Sequence, residues 1–220
     1  MERNRPRSTG YSTEGDPFQP TFHPNRIDQI LKLKGRGKRI FLDSMGDLFS
    51  AGVQPAWILE MIDAVRQKPE HMFIALTKWT EHLTYYQEML GDLPQNMWIG
   101  TSVTCQDDVH RIQELRDALP DVHKLVSFEP LHGPIIADLT GIEWLIIGAE
   151  TGNRKGRIKP HAEWVENLQK NAESLGIPVF LKDNLRPYHF GSEHPQQYPA
   201  FLSAEIIHAD RGLVRSDRVI

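Results

Sequence analysis

Residues 144–149 read WLIIGA, and this stretch decides the fold class. It is a continuous apolar run and not an alternation of apolar and polar residues, which is typical of strands covered on both faces in a parallel sheet. Similar short runs occur at residues 39–43 (RIFLD), 72–77 (MFIALT), 97–103 (MWIGTSV), 124–128 (KLVSF) and 178–181 (PVFL). The sequence therefore predicts a largely parallel sheet.

Amphipathic segments lie between these runs. Residues 54–67 place apolar side chains on one face of a helix, with Pro55 in its first turn: Trp57, Ile58, Met61, Ile62 and Val65. Further helices are predicted at residues 26–33, 80–90, 107–118 and 161–175. The alternation of strand and helix predicts an α/β protein built from βαβ units, either a barrel-like sheet or a doubly wound open sheet. Periodicity alone does not separate these two architectures.

The chain divides by composition into three parts. Residues 1–26 are rich in Pro, Gly, Ser, Thr and Arg and predict an irregular N-terminal arm. Residues 27–185 hold the strand and helix pattern and form the predicted domain. Residues 186–220 lack the pattern and are interpreted as a C-terminal extension.

Charge and cysteine content limit the function classes. The net charge of −4 argues against a surface built throughout for nucleic acid, although a local basic patch stays open. The single cysteine, Cys105, excludes an intramolecular disulfide and fits a reducing compartment. No apolar run approaches the roughly 18–20 residues that span a bilayer, so we expect a cytoplasmic protein without a membrane partner.

Polar residues follow every predicted strand. They include Asp43, Ser44 and Asp47 after the first strand, Lys78 after the second, Ser102 in the third, Glu129 after the fourth, Glu150 after the fifth and Lys182 after the sixth. Ligands of β/α barrels and open α/β sheets bind at the carboxyl ends of the strands, so a small-molecule site is expected there. Taken singly, each residue has an alternative interpretation as a helix cap or a solvated side chain.

Two carboxylates and two lysines at this edge allow acid–base chemistry by Glu129, Lys182 and Lys78, with Glu150 beside them. A carboxylate next to the core needs a cationic partner, for which Lys78 and Lys182 are the candidates. A purely structural ion-pair network explains the same residues equally well. Whether the protein is an enzyme therefore stays open.

The loop at residues 148–157 combines glycines with cations. Arg154 and Arg157 are candidate anion-binding residues, because forked guanidinium donors and accessible backbone amides suit phosphate or carboxylate. The loop lacks the Gly-Lys-Ser/Thr ending of a Walker A motif, and a merely solvated basic loop is an equal alternative. No histidine or cysteine spacing indicates a metal site.

Short phrases in order along the chain resemble those of a known family. They are DPFQPTFHP at 16–24, IFLDSMGDLF at 40–49, LTK at 76–78, WIGTSV at 98–103, SFEPL at 127–131, GPI at 133–135, IIGAETG at 146–152 and FLK at 180–182. The phrases are similar to those of a phage and prophage protein family of unknown function, which itself resembles radical S-adenosylmethionine enzymes. The resemblance covers residues 16–184 and implies a partial (β/α) barrel of mainly parallel strands.

The resemblance also implies a cofactor. Members of that family usually carry a cysteine-rich segment with a Cys-x-x-Cys-Tyr phrase, which would hold a [4Fe–4S] cluster whose open iron binds S-adenosylmethionine. Gly148 and Glu150 would border the adenosine, and Ser102, Glu129 and Lys182 would face the cofactor or substrate cavity; Asp43, Ser44 and Asp47 are further cofactor-binding candidates. Since this chain lacks those cysteines, we expect either a shortened form or a natural cluster-free variant, without radical chemistry of its own.

Two other functions stay open at this point. The first is a phosphate- or nucleic-acid-binding protein that uses the loop at residues 154–157 and the basic patch at residues 36–39. The second is a phage accessory protein without a small ligand. The oligomeric state is not indicated by the sequence.

Overall fold

The computed structural model describes residues 19–42, 46–188 and 193–199. Its strands are β1 (Arg39–Phe41), β2 (Met72–Thr77), β3 (Met97–Ser102), β4 (His123–Phe128), β5 (Trp144–Ile147) and β6 (Val179–Leu181). All neighbouring strands pair in parallel in the order β1-β2-β3-β4-β5-β6, and the sheet curls into a half-barrel. A doubly wound sheet would reverse its strand order at a switch point, so the prediction of a partial β/α barrel is confirmed.

The helices cover one face of this sheet. They are α1 (Pro24–Leu31), α2 (Pro55–Arg66), α3 (Leu83–Leu90), α4 (His110–Ala118) and α5 (Ala162–Ser174), with short 3₁₀ helices at Thr80–His82, Gln106–Val109 and Asp183–Tyr188. Prolines begin α1 and α2, where a missing backbone N–H costs nothing. None of the helices in the described residues is long and apolar enough to cross a membrane.

One connection between strands has no helix. Residues 129–143 join β4 to β5 as an extended loop. Its apolar side chains take the place of a helix in the core beside α4 and α5: Leu131, Ile135, Ala137, Leu139 and Ile142. At this point, loop residues cover the sheet in place of a helix.

The two faces of the sheet bury different side chains, because neighbouring residues of a strand point to opposite faces. Phe73, Ile99 and Val126 belong to cores that also contain helix residues. The opposite, concave face carries a separate cluster without helix residues, built from Met72, Ile74, Trp98, Leu125 and Trp144, with Phe41, Leu76, Ile146, Phe180 and Tyr198 against it. This concave face is the interior of the half-barrel.

Residues 193–199 cover the outer edge of β6. Gln196 forms an antiparallel bridge with Phe180, and the backbone N–H of Leu181 donates to the carbonyl of Pro195 at 2.8 Å. The indole Nε1 of Trp144 donates to the carbonyl of Gln197 at 3.0 Å. An open strand edge is a site for unwanted pairing, and this segment occupies it.

Candidate functional site

The polar strand ends do meet at one edge of the sheet. Ser102 pairs with Ser127 across β3 and β4, one residue beyond the buried Thr101. Alternation along the strands puts Ser102, Ser127, Gly148 and Lys182 on the concave side, because Val126, Ile147 and Leu181 belong to the helix-side core. We call this polar rim above the apolar interior the carboxyl edge.

Glu129 and Lys182 form the central ion pair of the carboxyl edge. The ammonium Nζ of Lys182 donates to both carboxylate oxygens of Glu129, each at 2.7 Å. The Glu129 side chain is 24% exposed and the Lys182 side chain 43%, so both charges stay within reach of solvent. Of the two candidate partners, Lys78 and Lys182, the structure pairs Glu129 with Lys182.

Gly148 makes this pair possible. Glu129 follows β4 and Lys182 follows β6, with β5 between them, so the two backbones are separated by two strand spacings of about 4.8 Å each. A Cβ atom on Gly148 would lie 2.8 Å from both Cδ and Oε1 of Glu129. Because residue 148 has no side chain, the Glu129 carboxylate occupies the space beside it and reaches Lys182. We call this space the Gly148 notch.

Glu150 is held by the loop that follows it. Arg154 donates through Nε at 2.6 Å and Nη2 at 2.8 Å to the two carboxylate oxygens, and the backbone N–H of Ile158 donates at 3.4 Å. The Arg154 hydrogen bonds lower the pKa of Glu150 to about 2. His132 Nε2 lies 3.7 Å from the same carboxylate and makes no hydrogen bond within the described residues.

Asp47 ties two loops of the carboxyl edge together. One carboxylate oxygen accepts from the Thr77 hydroxyl at 2.7 Å and from the backbone N–H of Phe49 at 3.1 Å, and the other accepts from the backbone N–H of Lys78 at 2.8 Å. These bonds give Asp47 a structural role and leave its ligand role a prediction. Asp43 and Ser44 lie outside the described residues.

The predicted anion-binding residues differ in availability. Arg154 donates to Glu150 through Nε and Nη2, and Arg157 donates to the Gly152 carbonyl at 3.0 Å. Lys78, which was predicted as an acid–base residue, makes no ion pair within residues 19–42, 46–188 and 193–199. Binding of an anion by the 148–157 loop remains a prediction.

Asn184 and Arg111 contribute to the edge and were not among the predicted site residues. The side-chain amide of Asn184 accepts from the Ala149 N–H at 3.0 Å and donates to the Ala149 carbonyl at 2.8 Å, which extends the β5–β6 ladder by one step. Arg111 donates to the Ser102 carbonyl at 3.0 Å and pairs with Asp108 at 2.9 Å. The sequence signal that could have indicated Asn184 is its position two residues after Lys182, just beyond the end of the same strand.

An iron–sulfur cluster does not fit the residues of this chain. Cys105 is the single cysteine of the sequence, and its Sγ donates to Asp108 at 3.7 Å. No group of three or more His, Cys, Asp or Glu side chains in the described part of the chain is arranged to hold a metal ion.

Comparison with known proteins identifies a family but no activity. No curated protein and no solved structure matches this sequence. A family described as "Protein of unknown function (DUF5131)" matches residues 2–194, which is most of the 220-residue chain. On that match, the chain belongs to the DUF5131 family of proteins of unknown function.

Proposed function

We propose that the carboxyl edge binds S-adenosylmethionine, and that the chain is the barrel core of a radical-S-adenosylmethionine-like protein of phage or prophage origin. The observation that carries the proposal is the Glu129–Lys182 ion pair, held at the mouth of a half-barrel by the Gly148 notch. The resemblance of residues 16–184 supplies the identity of the ligand. The proposal includes a cytoplasmic location, supported by the single cysteine.

The side chains of the carboxyl edge suit the parts of this ligand. The Glu129–Lys182 pair offers charged partners to the ligand, and the hydroxyls of Ser102 and Ser127 suit ribose or adenine polar atoms. Beneath them Leu76 and Leu125 close over Gly100 and give an apolar floor. Small-molecule sites combine such apolar surfaces with a few placed polar groups.

S-adenosylmethionine, when bound, supplies a sulfonium-activated carbon for group transfer. The chain's own residues at the carboxyl edge bind and orient it in this proposal. Acid–base work by Glu129, Lys182 and Lys78 belongs to the same proposal. Reductive cleavage needs a cluster, for which this sequence has no ligand set.

The alternative, a phosphate- or nucleic-acid-binding accessory protein, has weaker support. Arg36 lies before β1, at the amino ends of the strands, whereas Arg154 and Arg157 follow β5 at the opposite ends. One strand of nucleic acid would have to reach both ends of the half-barrel. Arg154 would also have to give up Glu150.

Calorimetric titration with S-adenosylmethionine tests the proposal. Binding to the wild-type protein should be lost in Gly148→Ala, because the new Cβ displaces the Glu129 carboxylate. Gly133→Ala is the matched control, since a Cβ there meets nothing within 4 Å. Absence of binding to the wild type, or equal binding by both variants, contradicts the proposal. Binding of single-stranded DNA that weakens steeply with salt would favour the alternative.

A further inference from the structure

The Glu129–Lys182 pair differs from the other ion pairs of the carboxyl edge in its unused hydrogen-bonding capacity. An ammonium has three donors, and two of those of Lys182 are given to Glu129. A carboxylate offers about four acceptor positions, and within the described residues Lys182 is the one donor that Glu129 has. Each partner can therefore bind one more charged group without breaking the pair.

The other carboxylates of this edge have less to offer. Glu150 already receives two bonds from Arg154 and one from the Ile158 N–H. Asp47 receives three, from Thr77, Phe49 and Lys78. Both are committed to holding loops, while within the described residues the side chains of Glu129 and Lys182 bond only to each other.

The two charges also lie in a fixed arrangement. The Glu129 carboxylate lies against Gly148, in the space that a side chain there would occupy, and Lys182 reaches it from the next strand. Both side chains remain partly exposed, at 24% and 43%. A ligand that carries an ammonium next to a carboxylate would add to this pair and complete a ring of alternating charges, in which each ion has an opposite neighbour.

We propose that Glu129 and Lys182 form a recognition site for an α-amino acid head group, with Glu129 accepting from its ammonium and Lys182 donating to its carboxylate. This assignment rests on the proposed function in one respect, since both place a ligand at the carboxyl edge. The head group is the methionine end of S-adenosylmethionine or that of a separate amino acid, and the two sources share this chemistry.

Titration with L-methionine, N-acetyl-L-methionine and L-methionine methyl ester tests the site. The acetyl compound lacks the ammonium and the ester lacks the carboxylate, so both should bind more weakly than L-methionine. Lys182→Met and Glu129→Gln should each lower the affinity for L-methionine about tenfold or more, as expected for loss of a charge-assisted bond. Lys182→Met should not weaken the ester further, and Glu129→Gln should not weaken the acetyl compound further.

Lys170→Met is the matched control. Lys170 pairs with Glu166 at 3.8 Å on the exposed surface of α5, so its loss should leave affinity within about twofold. Circular dichroism and melting of each variant show whether the barrel is folded. Glu129→Gln keeps the size of the side chain and serves if Lys182→Met unfolds.

The outcomes separate this site from the proposed function. Binding of S-adenosylmethionine that Gly148→Ala abolishes but neither charge substitution weakens overturns the site and leaves binding of this ligand at the carboxyl edge standing. L-methionine binding that depends on both residues, without S-adenosylmethionine binding, supports the site and contradicts the proposed function. If saturating S-adenosylmethionine abolishes L-methionine binding, the site holds the methionine end of S-adenosylmethionine. If both compounds bind together, the site holds the head group of a separate amino acid. No L-methionine binding by the folded wild-type protein overturns the site.

Discussion

The guanidinium carbon of Arg39 lies 4.0 Å from the ring centroid of Tyr198. Arg39 begins β1 and Tyr198 belongs to the segment paired with β6, so this contact joins the two outer strands of the half-barrel. Tyr198 also packs against Trp144 and Phe180, with centroid distances of 5.6 Å and 5.3 Å. Aromatic side chains thereby line the amino ends of the strands.

Removal of either partner of this contact should destabilise the protein. Tyr198→Ala should cost about 1–3 kcal/mol, because it removes aromatic packing as well as the cation–π contact. Arg39→Ala should cost less. A double-mutant cycle measured by urea unfolding should give a coupling of about 0.5–1 kcal/mol. Strictly additive effects would show that the contact does not join the strands.

Gly100→Ala should destabilise the sheet by about 1–3 kcal/mol or more. A Cβ at residue 100 would lie 2.5 Å from Cγ of Leu125, 2.6 Å from its carbonyl oxygen and 2.8 Å from Cδ2 of Leu76. Gly133→Ala, with nothing within 4 Å, should change the free energy of unfolding by less than about 0.5 kcal/mol. Equal unfolding curves for the two variants would contradict the packing of Leu76 and Leu125 over Gly100.

The titration of Glu150 should report its bond to Arg154. The pKa of Glu150 is lowered from 4.5 to about 2, so the folded state holds its proton less tightly than the unfolded chain. The stabilising contribution is therefore present above about pH 4.5 and lost as the pH falls towards 2.

Arg154→Ala should raise the pKa of Glu150, as measured by carboxyl NMR shifts. Arg186→Ala is the control, because Arg186 bonds to Asp183 and lowers the pKa of that group instead. An unchanged Glu150 titration in Arg154→Ala would mean that another group holds the carboxylate.

Asn184→Asp should loosen the end of β5. The Asn184 amide both accepts from and donates to Ala149, and a carboxylate can do only the first. We expect a loss of about 1 kcal/mol or more and faster amide exchange at Ala149. An unchanged amide exchange rate at Ala149 and an unchanged free energy of unfolding would show that backbone hydrogen bonds alone hold the end of β5.

The fold was predictable because its signals are local. Continuous apolar runs such as WLIIGA at 144–149 need cover on both faces, and the intervening amphipathic helices supply it on one. The helix-free link from β4 to β5 and the return of residues 193–199 to β6 were not predictable. Both depend on how loop residues pack against the assembled sheet. Hydrophobic periodicity along the sequence carries no information about that packing.

The clustering of the polar strand ends at one edge was predictable, but the pairing of their charges was not. Parallel strands bring their ends together, so the common edge of Ser102, Glu129 and Lys182 followed from the strand pattern. The choice of Lys182 over Lys78 as the partner of Glu129 depends on the register that puts Gly148 between β4 and β6. Such cross-strand neighbours become known only once the strand order and register are fixed.

Backbone amide NMR of the protein, recorded with and without S-adenosylmethionine, tests whether the carboxyl edge binds this ligand. We expect chemical-shift changes confined to the carboxyl edge, at Ser102, Glu129, Gly148 and Lys182, with no change at the amino ends of the strands near Arg39 and Tyr198. Shifts at the amino ends, or none anywhere at saturating ligand, would contradict binding at the carboxyl edge.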